Sequence, residues 1–334
     1  FGQSLLALWQ SRNMPPRDNA TALPFQALPS RPGMEERIRV KLGNVGGDLV
    51  AVPLPRGAGT VTSLSRADGV ISIPPDSEGL PAGVPAPVTL IRSREQIAGA
   101  LLAIGSHDNT LGLLDSYLRK YHPPFSLASA HVGSLGGIMA IKEGRCHLAG
   151  SHLLDSSSGI YNQQIIAERL AGIPVKLLRL VDREQGFIVP LGNPDGITGI
   201  DDLTNPGITF INRQRGSGTR VLLDYELAKR GIKAAAIAGY EDEEYTHMNV
   251  AVAVLSGRVS TGLGVRSAAN ALGLDFIPVG MEEYDLVIPD RYWNDPRMRS
   301  LLAVIRSEEF KQAVFAMGGY GIARTGEIVW AFEG

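Results

Sequence analysis

Residues 208–230 read ITFINRQRGSGTRVLLDYELAKR, and their pattern decides the fold. The β-branched run at 208–211 predicts a strand and the run at 221–230 a helix, with Asn212-Arg213-Gln214-Arg215-Gly216-Ser217-Gly218-Thr219-Arg220 as the loop that turns one into the other. Gly216 and Gly218 let a backbone approach a ligand closely, Ser217 and Thr219 offer hydroxyls, and the free amides of a helix N-terminus favour negative charge. Arg213, Arg215 and Arg220 add fixed positive charge. A glycine turn with a Ser/Thr cap and solvated arginines is the plainer reading of the same residues. No Gly-Lys-Ser/Thr follows a glycine at the Walker spacing, so this is not a nucleotide-binding loop of that type.

Working outward, the same strand-to-helix alternation runs from residue 100 to the end of the chain. Strands are predicted at 100–104, 126–131, 147–151, 175–181 and 261–265, and helices at 110–120, 135–142, 162–171, 247–256 and 266–272, with helices again over 297–318. Such alternation predicts parallel sheets with helices on both faces. Two α/β series are joined by extended runs, 181–190 outward and 276–288 back. The chain therefore crosses twice between two lobes, 96–186 plus 287–334 and 187–286, with a ligand cleft between them. This is the arrangement of a type II periplasmic-binding-protein fold. Closure about the crossing runs, near 186–190 and 280–286, is the expected motion.

Upstream the texture changes. Residues 1–12 (FGQSLLALWQSR) read as a short amphipathic helix, and 13–33, with Pro15, Pro16, Pro24, Pro29 and Pro32, as a linker or extended crossing segment. The runs IRVKL, DLVAVPL, TVTSL, GVISIP and PVTLI, punctuated by glycine and proline, predict a small β-barrel or sandwich. The expected class is α/β: a tail and linker at 1–34, a small N-terminal β-barrel or sandwich domain at 35–92, and a two-lobed type II periplasmic-binding-protein-like domain at 96–334.

Composition narrows the function classes. With 334 residues, 44% of them hydrophobic, and a mean hydropathy of +0.03, the chain can bury sizeable cores. A net charge of -2, with neither half strongly basic, argues against nucleic acid as a partner. The single cysteine, Cys146, excludes an internal disulfide and a multi-cysteine metal site, and fits a cytoplasmic location. Residues 1–34 lack the series of a signal peptide, and no apolar run approaches the ~20 residues of a membrane span, so no membrane partner is expected. A first residue of Phe rather than Met suggests a piece of a longer chain.

Four strand-to-helix junctions share the chemistry of the opening loop: Gly105-Ser106-His107-Asp108-Asn109-Thr110, Gly133-Ser134-Leu135-Gly136-Gly137, residues 212–220, and Glu243-Glu244-Tyr245-Thr246-His247. Singly, each hydroxyl residue is an ordinary N-cap. Together they occupy the strand ends that face a cleft in this architecture. They predict a site for a small oxyanion or carboxylate, held by hydrogen bonds and helix dipoles rather than by a metal. The expected contacts are Ser106, His107, Asp108, Ser134, Arg213, Ser217, Gly218, Thr219, Arg220, Thr246 and His247. Asp108 is by default an N-cap carboxylate, because it repels an anion unless it bonds a donor or coordinates the metal of an oxometalate. His107, His152 and His247 include no i, i+4 pair and no cysteine partner, which argues against zinc. The acidic run 241–244 reads as a complement to a positive helix start, and Tyr161 as packing. No acid/base pair and no nucleophile with a partner is visible, so this chain by itself reads as non-catalytic.

Two resemblances attach to these residues. The run Ser65-Arg66-Ala67-Asp68-Gly69-Val70-Ile71-Ser72-Ile73-Pro74, with Gly79-Leu80-Pro81-Ala82-Gly83 and Val88-Thr89-Leu90-Ile91, resembles the C-terminal β domain of MoeA, the molybdopterin molybdenumtransferase family that inserts molybdate into the pterin cofactor. The segments GSHDNTLGLL, HVGSLGGIMAIKEGRCHLAGSHLLD, REQGFIVPLGNPDGI, INRQRGSGTRVLLDYEL and GYEDEEYTHMNVAVAVLSG resemble the molybdate/tungstate-binding-protein-like domain, a relative of LysR substrate-binding domains. The second resemblance implies molybdate or tungstate as ligand, no prosthetic group, and Ser106, Ser134, Ser217, Thr219, Arg220 and Thr246 as contacts. Together they imply a role in molybdenum cofactor biosynthesis or its regulation, with MoeA catalytic domains upstream in a full-length transferase; a homodimer is compatible with this. Where that family usually reads Ala-Asp-Ala-Gly, this chain has Val259-Ser260-Thr261-Gly262, which supplies no charge. Sensing of an organic anion is the first alternative, and a part in an active transferase cleft that handles a pterin phosphate is the second.

Overall fold

The computed structural model describes residues 18–54, 67–155 and 157–334. Contacts divide the chain into two units, Phe1–Ala100 and Leu101–Gly334. Among the described residues no helix is long and apolar enough to cross a membrane.

The first unit contains strands β1 (Asn19–Pro24), β2 (Leu28–Pro29), β3 (Glu36–Val45), β4 (Asp48–Pro53), β5 (Gly69–Ile73), β6 (Gly79–Leu80) and β7 (Ala86–Leu90), then helix α1 (Arg94–Ala98). Strands β1, β4, β3, β5 and β7 close into a barrel in that order, which decides between barrel and sandwich. Its logic is written in β3: Ile38, Val40 and Leu42 point inward with Ile71, Ile73, Val88 and Leu90, while Arg37, Arg39 and Lys41 alternate on the more exposed face. Gly46 and Gly47, both at positive φ, form the two-residue hairpin that pairs Val45 with Asp48. Buried Asp68 accepts from the Leu42 N–H at 3.1 Å and from Lys41 Nζ at 3.3 Å, which pins the start of β5 to β3.

One expectation is corrected here. The proline-rich stretch read as a linker supplies β1, which pairs antiparallel with β7 and parallel with β4. A barrel has no free edge, so some segment must fill the gap between β4 and β7. NATALP can do so because its one proline falls on the last residue of the strand. The helix expected at 1–12 and the run TVTSL at 60–64 lie outside the described residues.

The second unit contains β8 (Ala100–Gly105), α2 (Asn109–Tyr121), β9 (Ser126–His131), α3 (Ser134–Lys142), β10 (Ala149–Ser151), α4 (Gln163–Arg169) and β11 (Val175–Val189). It continues through β12 (Phe210–Arg213), α5 (Gly218–Arg230), β13 (Glu243–Glu244), α6 (His247–Leu255), β14 (Thr261–Val265), α7 (Arg266–Ala271) and β15 (Asp275–Pro289). It ends with α8 (Asp290–Trp293), α9 (Pro296–Arg306), α10 (Glu308–Ala316), β16 (Tyr320–Gly321) and β17 (Ile328–Phe332).

The two extended runs prove to be one continuous strand each. β11 and β15 pair antiparallel from Val175↔Pro289 to Val189↔Asp275, with register shifts at Arg179/Val181 and Gln185/Gly186. They run through an eight-stranded sheet of order β10-β15-β11-β14-β12-β13. The expected parallel sheets are therefore mixed. β12 pairs parallel with β13 and β14, whereas the crossing ribbon pairs antiparallel with β10, β14, β16 and β17. The ribbon connects the two α/β series of a two-lobed domain, one built on β8 to β10 and the other on β12 to β14.

In the second lobe the sheet is buried on both faces. Phe187 and Val189 join Ile197, Phe210, Leu223 and Leu263, while Ile188, pointing the other way, joins Ile211, Val250, Val254 and Phe276. That is why this stretch of β11 is apolar without alternation. Phe187→Ala should lower the free energy of unfolding by about 3–5 kcal/mol in urea titration; a loss below about 1 kcal/mol would contradict this packing.

Candidate functional site

Register decides what stands in the middle of the ribbon. Arg183 lies opposite Glu282, and Arg179 opposite Asp285. Arg183 and Glu282 are each 1% exposed, so charge has been carried into a nearly dry interior. Arg183 donates through Nη2 to Glu282 Oε2 at 2.5 Å and through Nη1 to Asp108 Oδ2 at 3.0 Å, and its guanidinium lies over the Tyr284 ring. Burial works against its charge, but Glu282 and Asp108 hold Arg183 above its ordinary range. Burial likewise pushes the Glu282 carboxyl upward, yet Arg183 and His152 hold it down at about 2. Losing one member would leave the others as uncompensated buried charge, which costs about 3–5 kcal/mol.

His152, just after β10, reads this carboxylate. Its Nδ1 stands 2.5 Å from Glu282 Oε1 and its Nε2 stands 2.6 Å from Ser106 Oγ, while its backbone N–H donates to Ser134 Oγ at 3.1 Å. Two of the expected serines thus converge on one histidine. Burial lowers the His152 pKa; Glu282 resists, and Arg183 adds to the fall. No acid/base pair and no nucleophile with a partner is visible in the sequence, and the row sets a histidine between a serine and a carboxylate. Its members are 46 and 130 residues apart, a distance that no local spacing reveals. Its connectivity is that of nucleophile, base and carboxylate. Ser106's own amide, however, is committed to the Gly150 carbonyl at 2.9 Å and cannot hold an oxyanion. The row reads as a hydrogen-bond relay.

The other lobe presses on the same histidine. A Cβ on Gly218, at the start of α5, would lie 2.2 Å from His152 Nδ1 and 2.9 Å from the His152 carbonyl oxygen, so only glycine permits this approach. The next residue, Thr219, is 1% exposed, and its Oγ1 has no hydrogen-bond partner among the described residues. Such orphans are uncommon in folded proteins. At the end of β12, Arg213 is 8% exposed and donates to the carbonyls of Tyr245 at 3.0 Å and Glu244 at 3.2 Å, with Nη1 2.9 Å from His247 Nδ1. Among the described residues its hydrogen-bond partners are all neutral. Burial, reinforced by Arg183, lowers Arg213 to about 10, which leaves it charged at neutral pH. His247 is held well below its ordinary range by burial and then by Arg213 and Arg183, so it accepts from Arg213 as a neutral ring.

The remaining expected contacts have other partners. Arg220 donates through Nη1 to Glu243 Oε1 at 2.5 Å and its guanidinium lies over Tyr240, within one lobe. The run 241–244 neutralises arginines rather than a helix start, since Arg215 pairs with Glu241 at 2.7 Å and Arg258 with Glu244 at 2.6 Å. Asp108 caps α2 by accepting from the Thr110 N–H at 2.8 Å, and its charge is matched by Arg183. Ser217 and Thr246 accept from the Arg220 and Asn249 amides in the plain N-cap role. His107 is exposed and edge-on to His131. A cavity of about 380 Å³ lined by Ile211, Asp242, Glu243, Glu244, Arg258 and Val259 meets this cluster at Glu244, whose carbonyl accepts from Arg213. Among the described residues no group of three or more His, Cys, Asp or Glu could hold a metal. Sequence reasoning missed Arg183, Gln185 and Glu282. The available signal was opposite charges inside two apolar runs already expected to cross together, since such charges are buried only when paired.

Comparison with known proteins adds the following. A family model described as the PBP superfamily domain matches residues 115–306, and one described as the MoeA C-terminal region (domain IV) matches residues 26–91. The uncharacterized protein YvgK of Bacillus subtilis (strain 168) is 33% identical over 226 residues, covering 68% of this chain and 72% of its own. Two solved structures superpose with a TM-score of 0.50. One is a substrate-binding protein from Clostridium perfringens with bound phosphate, 14% identical, covering 65% of this chain and 97% of that one. The other is iron-bound HitA from Pseudomonas aeruginosa, 11% identical, covering 65% and 84%. At these identities the likeness concerns the fold, which accommodates unlike ligands.

Two outcomes follow. Burial holds His152 and His247 below their ordinary range in the folded protein, so they bind protons more readily when unfolded, and their contribution is complete above the ordinary histidine value of 6.5 and is lost as pH falls below it. Asp285, pushed up to about 6 by burial, works the opposite way, one group against two. The thermal midpoint should therefore fall between about pH 7.5 and about pH 5.5, and a flat or rising profile would contradict the assignment. Gly218→Ala should prop the lobes apart, seen as a larger radius of gyration by small-angle scattering with an unchanged circular dichroism spectrum. Superimposable scattering curves would contradict the contact with His152.

Proposed function

The chain belongs to the PBP superfamily, and from that premise we propose that its interlobe cleft binds a small tetrahedral oxyanion, molybdate or tungstate, in the service of molybdenum cofactor biosynthesis or its regulation. The observation that carries the reading is Arg213, a buried guanidinium hydrogen-bonded only to neutral groups among the described residues. A buried cation is ordinarily matched by an anion, and a planar guanidinium suits two oxygens of one ligand. Thr219 Oγ1 adds a buried hydroxyl in need of an acceptor, and the N-termini of α3 and α5 add backbone amides and dipoles from the two lobes. Gly218 against His152 brings the lobes close enough to engage one small ion together.

The choice of molybdate or tungstate is supported by the resemblance of the loop segments to the molybdate/tungstate-binding-protein-like domain. It is also supported by the MoeA C-terminal region that precedes this domain. In this reading the protein works in the cytoplasm next to MoeA catalytic domains. Ligand drives closure about the β11/β15 ribbon, whose register shift at Gln185/Gly186 falls where the lobes meet.

Calorimetric titration with molybdate, tungstate, sulfate, phosphate and small carboxylates tests the reading. Molybdate or tungstate should bind most tightly. Arg213→Ala should weaken binding by about 10- to 100-fold, the worth of a charge-assisted hydrogen bond, and Arg213→Lys by less. No heat with either metal oxyanion, or an unaffected Arg213→Ala variant, would sink it.

A further inference from the structure

We infer that a fully deprotonated oxyanion enters this cleft together with one proton, held where the anion meets the Ser106–His152–Glu282 relay. The inference rests on the reading that the cleft binds an oxyanion.

Glu282 Oε2 accepts from Arg183 at 2.5 Å and from Gln185 Nε2 at 2.5 Å, and Oε1 stands 2.5 Å from His152 Nδ1. An ionised carboxylate offers no proton, so Nδ1 must carry the ring's hydrogen and donate it. A neutral His152 then presents a bare lone pair at Nε2. Ser106 Oγ, 2.6 Å away, has to donate its only hydrogen there. What remains of that hydroxyl is lone pairs, so Ser106 meets a ligand as an acceptor and not as the donor that its place at a helix start suggests. Gln185 Oε1, buried and without a partner among the described residues, is a second acceptor on the same network.

Molybdate, tungstate and sulfate as dianions have acceptors only. Against Ser106 in this state, lone pair would face lone pair. One proton removes the conflict in either of two places. On Nε2 it reverses the bond, so that the imidazolium donates to Ser106 and Ser106 donates to the anion. On the anion it gives an X–O–H group that donates to Ser106. The count is one in both cases.

The surrounding charges favour the uptake. Facing His152 are Glu282 and Tyr284 from β15, Arg183 from β11, Ser106 from the turn after β8, Ser134 from α3 and Gly218 from α5, with Gln185 of β11 joining through Glu282. Arg213 acts on it from β12, and His247 interacts with it from α6. Asp108 joins through Arg183. Arg183 alone pairs with both Asp108 and Glu282, so the positive charge of Arg213, which has no carboxylate of its own to bond among the described residues, only brings the cluster to neutrality and leaves no net positive charge for a dianion. A proton taken up at the relay reduces that imbalance.

The test is titration of the protein with sodium tungstate and sodium molybdate at about pH 8, in buffers of differing ionisation enthalpy. The slope of observed heat against buffer ionisation enthalpy counts the protons. A slope corresponding to about one proton is expected, with affinity falling about tenfold per pH unit above neutrality. His152→Gln, whose amide can donate to Ser106 without titrating, should bind with a slope near zero and a flat pH profile. Wild-type binding without proton uptake would overturn the inference and leave oxyanion binding standing, as would an uptake that persists unchanged in His152→Gln. If neither anion binds the wild type, the underlying reading fails and this inference with it. Should His152→Gln not fold, the slope and pH dependence of the wild type decide.

Discussion

Arg183 facing Glu282 across two antiparallel strands is the constraint on which the cleft depends. The pair exists because β11 and β15 lie in one register along their length, and a slip by one residue would turn both side chains to the opposite face. A buried ion pair adds little net stability, since desolvation offsets most of its Coulomb attraction. Its effect is specificity. Through Asp108 it ties the start of α2 to the ribbon, and through Glu282 it sets the tautomer of His152 and hence the direction of the Ser106 hydroxyl.

The two sides of the cleft are built on different principles. On the β8 to β10 side, charges are paired and hydrogens assigned: Ser106, His152 and Glu282 form the relay, and Ser134 accepts from the His152 backbone N–H. On the β12 to β14 side, Arg213 lies among neutral acceptors and Thr219 keeps an unmatched hydroxyl. Gly218 sets the open side against His152 of the settled one. On the proposed reading, a small anion completes the β12 to β14 side and makes the relay on the β8 to β10 side take a proton, so that binding, closure and protonation belong to one event.

Much of the scaffold was legible in the chain. The alternation in IRVKL marks a half-buried barrel strand, and the apolar FIV of β11 marks a strand buried on both faces. Hydroxyl residues before helical runs marked the helix starts, because capping is a local interaction. The rest is decided by partners far apart in sequence. β1 is a strand only because a closed barrel needs it, and the proline-rich stretch that contains it looks like a linker until β4 and β7 are in place. Arg213 and Arg220 look equivalent in NRQRGSGTR, yet the first ends a strand beside neutral carbonyls and the second reaches Glu243. The relay joins residues from three separate elements, so its chemistry appears only with the register of the ribbon.

The central claim is that one small oxyanion sits between Arg213 and the relay. The most direct measurement is the anomalous scattering of a crystal soaked in tungstate, which locates the metal without reference to any assumed contact. The account predicts one dominant peak whose oxygens lie within hydrogen-bond distance of the Arg213 guanidinium, Thr219 Oγ1 and Ser106 Oγ. A dominant peak elsewhere, or none in the cleft at saturating tungstate, would contradict it.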